Sequence, residues 1–153
     1  MLKQGDNAPD VTLPLPDGGS TSVAEQAGKI LVLYFYPKDD TPGCTTEAQS
    51  FTALAGDFAK VGATIIGVSK DSAARHQKFI GKYDLKVQLA SDDDGAICEA
   101  YGTWIEKKLY GREYMGIDRA TFLIGKDGKI AQIWRKVKVK GHAEEVLAAA
   151  KSL

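Results

Sequence analysis

The feature that most constrains the fold is an apolar run at residues 30–36, Ile-Leu-Val-Leu-Tyr-Phe-Tyr. Successive side chains of a strand point to opposite faces, so a run that is apolar throughout indicates a strand covered on both sides. The run is too short to cross a bilayer. It therefore predicts the central strand of a sheet that has helices on both faces.

The remaining patterns predict strands alternating with helices. We expect a short N-terminal hairpin with its turn at Asp17-Gly18, and a loop over 103–117 that includes at most a short edge strand. The alternating Lys and Val residues at 135–140 are interpreted as an edge strand. The other strands are expected at 63–69, 87–90, 119–124 and 130–134, and the helices at 44–62, 72–83, 95–101 and the C-terminal end. We predict a single α/β domain over residues 1–153, with a central mixed sheet flanked by helices and an N-terminal β-hairpin extension.

Composition excludes several classes of function. Lys plus Arg number 20 and Asp plus Glu number 20, so the net charge is zero and argues against nucleic acid or an acidic membrane as partner. The first residues lack the apolar run of a signal peptide, which predicts a cytoplasmic protein. Two cysteines and two histidines at scattered positions do not form a zinc pattern, and we predict no metal or other cofactor.

Cys44 is the candidate nucleophile. It is predicted in the first turn of a helix, after a loop over 37–43 that leaves the carboxyl end of the central strand, where α/β sheets place their sites. A thiol with a pKa near ~8.5 reacts as thiolate, and a helix N-terminus or a nearby arginine lowers that pKa to roughly 3.5–7.5. Gly43 allows close backbone approach, Thr41 offers a hydroxyl, and Pro37 stiffens the loop. From position alone, a buried core cysteine is an equally good interpretation.

The whole string at 37–47, Pro-Lys-Asp-Asp-Thr-Pro-Gly-Cys-Thr-Thr-Glu, resembles the active-site pattern of the peroxiredoxins. With Phe35-Tyr36 ahead of it, the string is similar to the bacterioferritin comigratory protein, or PrxQ, subfamily. The likeness extends over most of the chain, including 5–10, 67–71, 89–92, 101–104 and 118–124. It implies a thioredoxin-like fold and a peroxidase of the thioredoxin-dependent type that reduces hydrogen peroxide and organic hydroperoxides.

The resemblance also implies roles for individual residues. Cys44 corresponds to the peroxidatic cysteine, which cycles through a sulfenic acid. Thr41 would hydrogen-bond the substrate, and Pro37 would shield the thiol from water. Arg119 would stabilise the thiolate and polarise the O–O bond, with Glu47 orienting it. Taken without the family, Arg119 is better explained as a strand-end arginine that reaches towards water.

The sequence departs from the subfamily pattern in its second cysteine. The two positions at which the resemblance places a resolving cysteine are Gln49 and, approximately, Ile80. Cys98 is the remaining thiol, and a structural role fits it better than a resolving one. We therefore predict a single-cysteine cycle completed by thioredoxin, glutaredoxin or a low-molecular-weight thiol. The alternative is a two-cysteine cycle, in which the first helix unwinds locally and Cys44 forms a disulfide with Cys98. The resemblance implies a monomer.

Two other functions are considered. A disulfide oxidoreductase would use Cys-x-x-Cys, but Thr41 takes the place of the first cysteine. A binding or chaperone module would not need Thr41, Cys44 and Arg119 together. No histidine lies near Cys44 in sequence, and His76 and His142 are predicted in exposed helical regions.

Overall fold

A computed structural model describes residues 1–153. The strands are β1 Thr12–Pro14, β2 Ser20–Ser22, β3 Ile30–Phe35, β4 Ala63–Ser69, β5 Gln88–Ser91, β6 Trp104–Leu109, β7 Arg112–Ile117, β8 Ala120–Ile124 and β9 Ile130–Trp134. The helices are α1 Pro42–Ala53, α2 Ala55–Lys60, α3 Ala73–Tyr83, α4 Ala96–Tyr101 and α5 His142–Lys151, with a 3-10 turn at Ala24–Gln26. None of the helices has the length and apolar character that crossing a membrane requires.

The main sheet has five strands in the order β5-β4-β3-β8-β9. β3 pairs parallel with β4 and antiparallel with β8, while β4 and β5 are parallel and β8 and β9 antiparallel. All six residues of β3 are buried, as its continuous apolar sequence predicts. The central mixed sheet is therefore confirmed, and so is the N-terminal hairpin of β1 and β2.

Alternate residues of β3 face two separate cores. Ile30, Val32 and Tyr34 pack with α1, α2, α3 and α5, on what we call the α1 face of the sheet. Leu31, Leu33 and Phe35 pack with α4 and β1, on what we call the α4 face. The loop that leaves β3 leads directly into α1, so the start of α1 lies at the carboxyl end of the central strand.

Three predicted elements were wrong. The helix expected over 44–62 is two helices, because the backbone at Leu54 leaves helical geometry. The expected edge strand at 135–140 is irregular: Lys136 has a φ of +49°, and the Val137 N–H donates to the Arg119 carbonyl instead of to a strand.

The third correction concerns residues 103–117, which form a hairpin rather than a loop. β6 and β7 pair with each other and with no strand of the main sheet. The connection is Tyr110-Gly111, and both residues have positive φ, as a two-residue type I′ turn requires. Tyrosine is rare at such a position, so the sequence carries no recognisable turn signal there.

Candidate active site

Cys44 lies in the first turn of α1, and its side chain is buried on the α1 face. Thr41 precedes the helix in extended geometry, and its carbonyl accepts the first helical hydrogen bond, from Thr45 N–H. The amides of Gly43 and Cys44 come before that bond, so the helix itself does not use them. The sulfur therefore lies at the positive end of a helix, beside amides that are free to bind an oxygen atom.

Arg119, immediately before β8, reaches the sulfur of Cys44. Its Nη2 donates to Cys44 Sγ at 3.4 Å, and its Nη1 donates to Glu47 Oε1 at 2.8 Å. Glu47 stands three residues after Cys44 on α1, so the helix presents both to one guanidinium. The Arg119 side chain is 18% exposed and Glu47 is 1% exposed, which leaves this ion pair weakly screened by water.

Burial and charge act in opposite directions on this pair. Burial raises the pKa of Glu47 to about 7, although the neighbouring Arg119 lowers it. Burial also opposes the charge of Arg119, but Glu47 and Cys44 outweigh it and raise the arginine pKa. The second Glu47 oxygen, Oε2, is buried without a hydrogen-bond partner. Arg119 therefore stays positively charged, whereas burial makes the ionised form of Glu47 unfavourable.

Gly43 makes room for the guanidinium. A Cβ atom at this position would lie 3.1 Å from Arg119 Nη2. Few real Cβ atoms come that close to a neighbour, so any larger residue would press on the group that contacts the sulfur. The glycine thus gives the arginine access, in addition to the backbone approach expected from the sequence.

The hydroxyl of Thr41 donates to the Lys38 carbonyl at 2.8 Å. Because its only proton is used in this way, the Thr41 oxygen is left as an acceptor towards other groups. Pro37 is exposed at the opposite end of the same loop. Substrate binding by Thr41 and shielding by Pro37 stay predictions.

Comparison with known proteins identifies the family. Residues 4–133 match the AhpC/TSA family. Two curated relatives are each called Peroxiredoxin Bcp. The Xanthomonas campestris protein is 50% identical, covering 94% of this chain and 89% of its own. The Bacillus subtilis protein is 48% identical, covering 99% and 97%.

The chain is a peroxiredoxin of the Bcp/PrxQ subfamily.

The same subfamily supplies similar solved structures. In one of them, trapped intermediate and ligand complexes give insight into the alkyl peroxide reduction activity of the Xanthomonas campestris bacterioferritin comigratory protein. That protein is 48% identical, with a TM-score of 0.88, covering 93% of this peroxiredoxin and 90% of its own chain. The expected thioredoxin-like fold is therefore confirmed.

Cys98 of this peroxiredoxin lies on the opposite side of the main sheet from Cys44. It is fully buried on α4, on the α4 face, while Cys44 is on the α1 face. Burial, with a hydrogen bond to Asp92, raises the pKa of the Cys98 thiol to about 12. The sheet thus separates the two cysteines, and Cys98 is a poor nucleophile near neutral pH.

A buried pair of polar side chains, Asp39 and His76, lies beside the active-site loop and was not predicted from the sequence. Asp39 lies within that loop and accepts from the Tyr36 hydroxyl, and its Oδ2 is 2.6 Å from His76 Nδ1 on α3. The other His76 nitrogen, Nε2, is 3.1 Å from the Ala90 carbonyl. His76 is fully buried, so its predicted exposure was wrong. Asp39 and His76 are 37 residues apart, and no local sequence pattern links them.

His142 is the second buried histidine, and its predicted exposure was also wrong. Its Nε2 is 2.8 Å from the Thr121 hydroxyl on β8, and burial lowers its pKa. The His142 ring packs against the rings of Phe51 and Trp134 in T-shaped, edge-to-face contacts. The ring therefore packs as a core residue and makes no contact with the sulfur.

Proposed function

We propose that this peroxiredoxin reduces hydrogen peroxide and organic hydroperoxides by direct attack of the Cys44 thiolate on the O–O bond. The observation that carries the proposal is the 3.4 Å contact between Arg119 Nη2 and Cys44 Sγ, made at the start of a helix. A fixed guanidinium stabilises the thiolate before the reaction. It also stabilises the charge that moves onto the leaving oxygen during the reaction.

The step transfers one oxygen atom. The sulfur forms a bond to the nearer peroxide oxygen, and the O–O bond breaks. The more distant oxygen leaves with the electron pair and takes a proton, giving water from hydrogen peroxide or an alcohol from an organic hydroperoxide. Cys44 is left as a sulfenic acid. The free amides of Gly43 and Cys44 are suited to bind the oxygen under attack.

Thr41 and Pro37 complete the proposed pocket. The Thr41 oxygen is free to accept a hydrogen bond from the peroxide O–H because its own proton is donated to Lys38. Pro37 has no N–H, so it presents an apolar surface without a competing donor at the rim of the loop. Glu47 holds Arg119 by the 2.8 Å bond and so fixes its direction.

The proposed cycle uses one cysteine of this chain. A disulfide needs Cα atoms within about 7 Å, and Cys44 and Cys98 pack on opposite faces of a covered sheet. An external thiol therefore reduces the sulfenic acid, and thioredoxin, glutaredoxin and low-molecular-weight thiols are the candidates. Two unpaired buried thiols suit a reducing compartment, which supports a cytoplasmic location.

The deciding experiment compares Cys44→Ser with Cys98→Ser. We expect the first variant to lose peroxide consumption entirely and the second to keep most of it, measured with dithiothreitol as reductant. Sulfenic-acid trapping should label Cys44 in the wild type and in Cys98→Ser. Peroxide turnover by Cys44→Ser would disprove the assignment.

A further inference from the structure

The β6–β7 hairpin carries nearly all of the exposed large apolar side chains of the molecule. Apart from Met1 and Leu153 at the chain ends, these side chains are Leu109, Tyr110, Tyr114 and Met115. Single exposed apolar residues are ordinary, but a group confined to one projecting element marks an interaction surface. These four side chains are between 41% and 98% exposed, so they contribute little to the packing of the hairpin.

Strand register divides the hairpin into two different faces. Lys107 lies opposite Tyr114 and Leu109 lies opposite Arg112, and side chains that face each other across a ladder share one side. What we call the cationic face consists of Ile105, Lys107, Leu109, Arg112, Tyr114 and Gly116. It has two cations, three large apolar residues and no acid. Both glutamates of the hairpin lie on the other face, where Glu113 pairs with Lys108 at 3.4 Å.

The cationic face is continuous with the active site. β7 leads into Asp118 and Arg119, and the Asp118 N–H donates to the Thr103 carbonyl at the base of the hairpin. Burial lowers the pKa of Lys107, and the ionisable groups near it include Asp118, Arg119 and Cys44. A partner on the cationic face would therefore be held beside the sulfur.

The dimensions of the face indicate the size of the partner. Each strand of the hairpin has six residues, which at about 3.3 Å per residue gives a face roughly 20 Å long. A small thiol cannot span that length. A second copy of this chain is less suited, because a two-fold contact centred on this face would bring together Lys107 and Arg112 of both copies with no acid on the face to pair with them.

We propose that the cationic face docks the protein dithiol that reduces oxidised Cys44, and that this partner presents an apolar and acidic surface beside its reactive thiol. The inference rests on the proposed single-cysteine function, which requires an external thiol to reach the sulfur. Charge of opposite sign would speed the encounter, and the apolar residues would provide the contact area.

The docked partner can reduce Cys44 without any further reductant. The thiolate of the partner attacks the Cys44 sulfur, an S–S bond forms, and the S–OH bond breaks to release water after protonation. The second thiol of the partner then attacks the partner's own sulfur in that mixed disulfide. Cys44 leaves as a thiol, and the partner is released as a disulfide, having supplied both electrons.

The test compares protein and small reductants on matched surface variants. Tyr114→Ser alters the cationic face, and Met115→Ser is its control on the opposite face, since both side chains are about equally exposed at 41% and 50%. Arg112→Gln and Lys108→Gln form a second pair that removes one positive charge from each face. Turnover is measured with thioredoxin, with glutaredoxin and with dithiothreitol.

We expect Tyr114→Ser and Arg112→Gln to lower kcat/KM for at least one protein dithiol by about tenfold, as for a residue at the centre of an interface. Turnover with dithiothreitol should be unchanged, and so should both controls. High salt should reduce the effect of Arg112→Gln. Sulfenic-acid formation with peroxide alone should be unchanged in all four variants; its absence would count against the proposed function instead.

Several results would overturn the docking proposal. One is a loss of kcat/KM that is equal for protein and small reductants, or equal in the variants and their controls. Another is no loss of kcat/KM in any variant. A third is a wild-type chain that dithiothreitol reduces but that neither protein dithiol turns over. A homodimer in sedimentation experiments that Tyr114→Ser dissociates would also overturn it, by assigning the face to a second copy.

Discussion

In the proposed mechanism, the contact between Arg119 and the Cys44 sulfur is what distinguishes a reactive thiol from an inert core thiol. The guanidinium bonds to the sulfur and to Glu47 at once, which a planar group with several donors can do. An ammonium group is a point charge and cannot reproduce both bonds in the same geometry. The identity of this side chain, and not its charge alone, therefore matters.

Replacing Arg119 with lysine tests this point. We expect Arg119→Lys to slow the reaction of Cys44 with hydrogen peroxide by about 10²-fold, similar to the loss of one preorganised donor in other enzymes. The measurement is single-turnover kinetics in a stopped-flow instrument, with circular dichroism to confirm that the fold is intact. A rate constant equal to that of the wild type would show that a positive charge at position 119 is sufficient and that the two-donor geometry of the guanidinium has no effect on the rate.

Gly43 allows a more sensitive test of the same contact. Gly43→Ala would place a methyl group 3.1 Å from Arg119 Nη2, so the guanidinium must move by a few tenths of an ångström. We expect a several-fold slower peroxide reaction, on the order of 3- to 10-fold, because positioning of the charge is impaired. Gly56→Ala on α2 is the control, since its methyl group would have no neighbour within 4 Å. Equal rates in the two variants would contradict the role of Gly43.

Glu47 gives a pH dependence of stability. Its pKa of about 7 in the folded protein lies above its ordinary value of 4.5, so the folded state keeps a proton that the unfolded chain releases between these values. The contribution of Glu47 to stability therefore decreases as pH rises from 4.5 to 7 and is constant above. Glu47→Gln cannot titrate, so its stability relative to the wild type should increase by up to about 3 kcal/mol over this range. Urea unfolding at several pH values would measure the difference, and a constant difference would contradict it.

At the level of elements, α3 holds the active-site loop in place. His76 contacts Asp39, and Lys82 and Tyr83 both donate to Asp40 at 2.9 and 2.7 Å. Asp40 has a φ of +59°, a left-handed conformation that aspartate adopts at some cost. The loop therefore depends on a helix that contributes no residue to the reaction.

His76→Leu is expected to destabilise the protein by about 1–3 kcal/mol, because it leaves the buried Oδ2 atom of Asp39 without its hydrogen-bond partner. Chemical denaturation would measure the loss. Lys78→Leu, on the exposed side of the same helix, is the control and should change stability little. Adding Asp39→Asn to His76→Leu should recover part of the loss, and additive losses would show that the two side chains are not coupled.

Elements with strong periodicity could be predicted from the sequence, and those set by tertiary context could not. The strands predicted from the apolar runs at β3, β4 and β8 are confirmed. The β6–β7 hairpin was missed because it packs little of its surface, so no burial pattern marks it. The exposure of both histidines was mispredicted because their polar partners come from distant segments.

At the level of the whole molecule, the sheet separates the two thiols. Cys44 belongs to the core on one face and Cys98 to the core on the other. The sequence could identify both cysteines, and the resemblance could assign Cys44 and Arg119. The side of the sheet on which Cys98 lies depends on the crossovers between strands, which local patterns do not specify.

Mass spectrometry after one equivalent of hydrogen peroxide tests this separation. We expect the chain to gain one oxygen atom at Cys44 and not to lose two hydrogen atoms, as a Cys44–Cys98 disulfide would require. Cys98 should also resist alkylation by iodoacetamide at pH 8 until the protein is unfolded, because burial keeps it a thiol. An intramolecular disulfide in the folded protein would restore the two-cysteine cycle.

The contact between Arg119 and Cys44 joins residues 75 positions apart, and β8 must be inserted beside β3 to make it. During synthesis, the ribosome releases the cysteine well before the arginine. If Arg119 activates Cys44 as proposed, a nascent chain would carry an ordinary thiol until the arginine is in place. Full reactivity would then arise only after translation has delivered the second half of the sheet, and the order of the sequence would protect the growing polypeptide from premature oxidation.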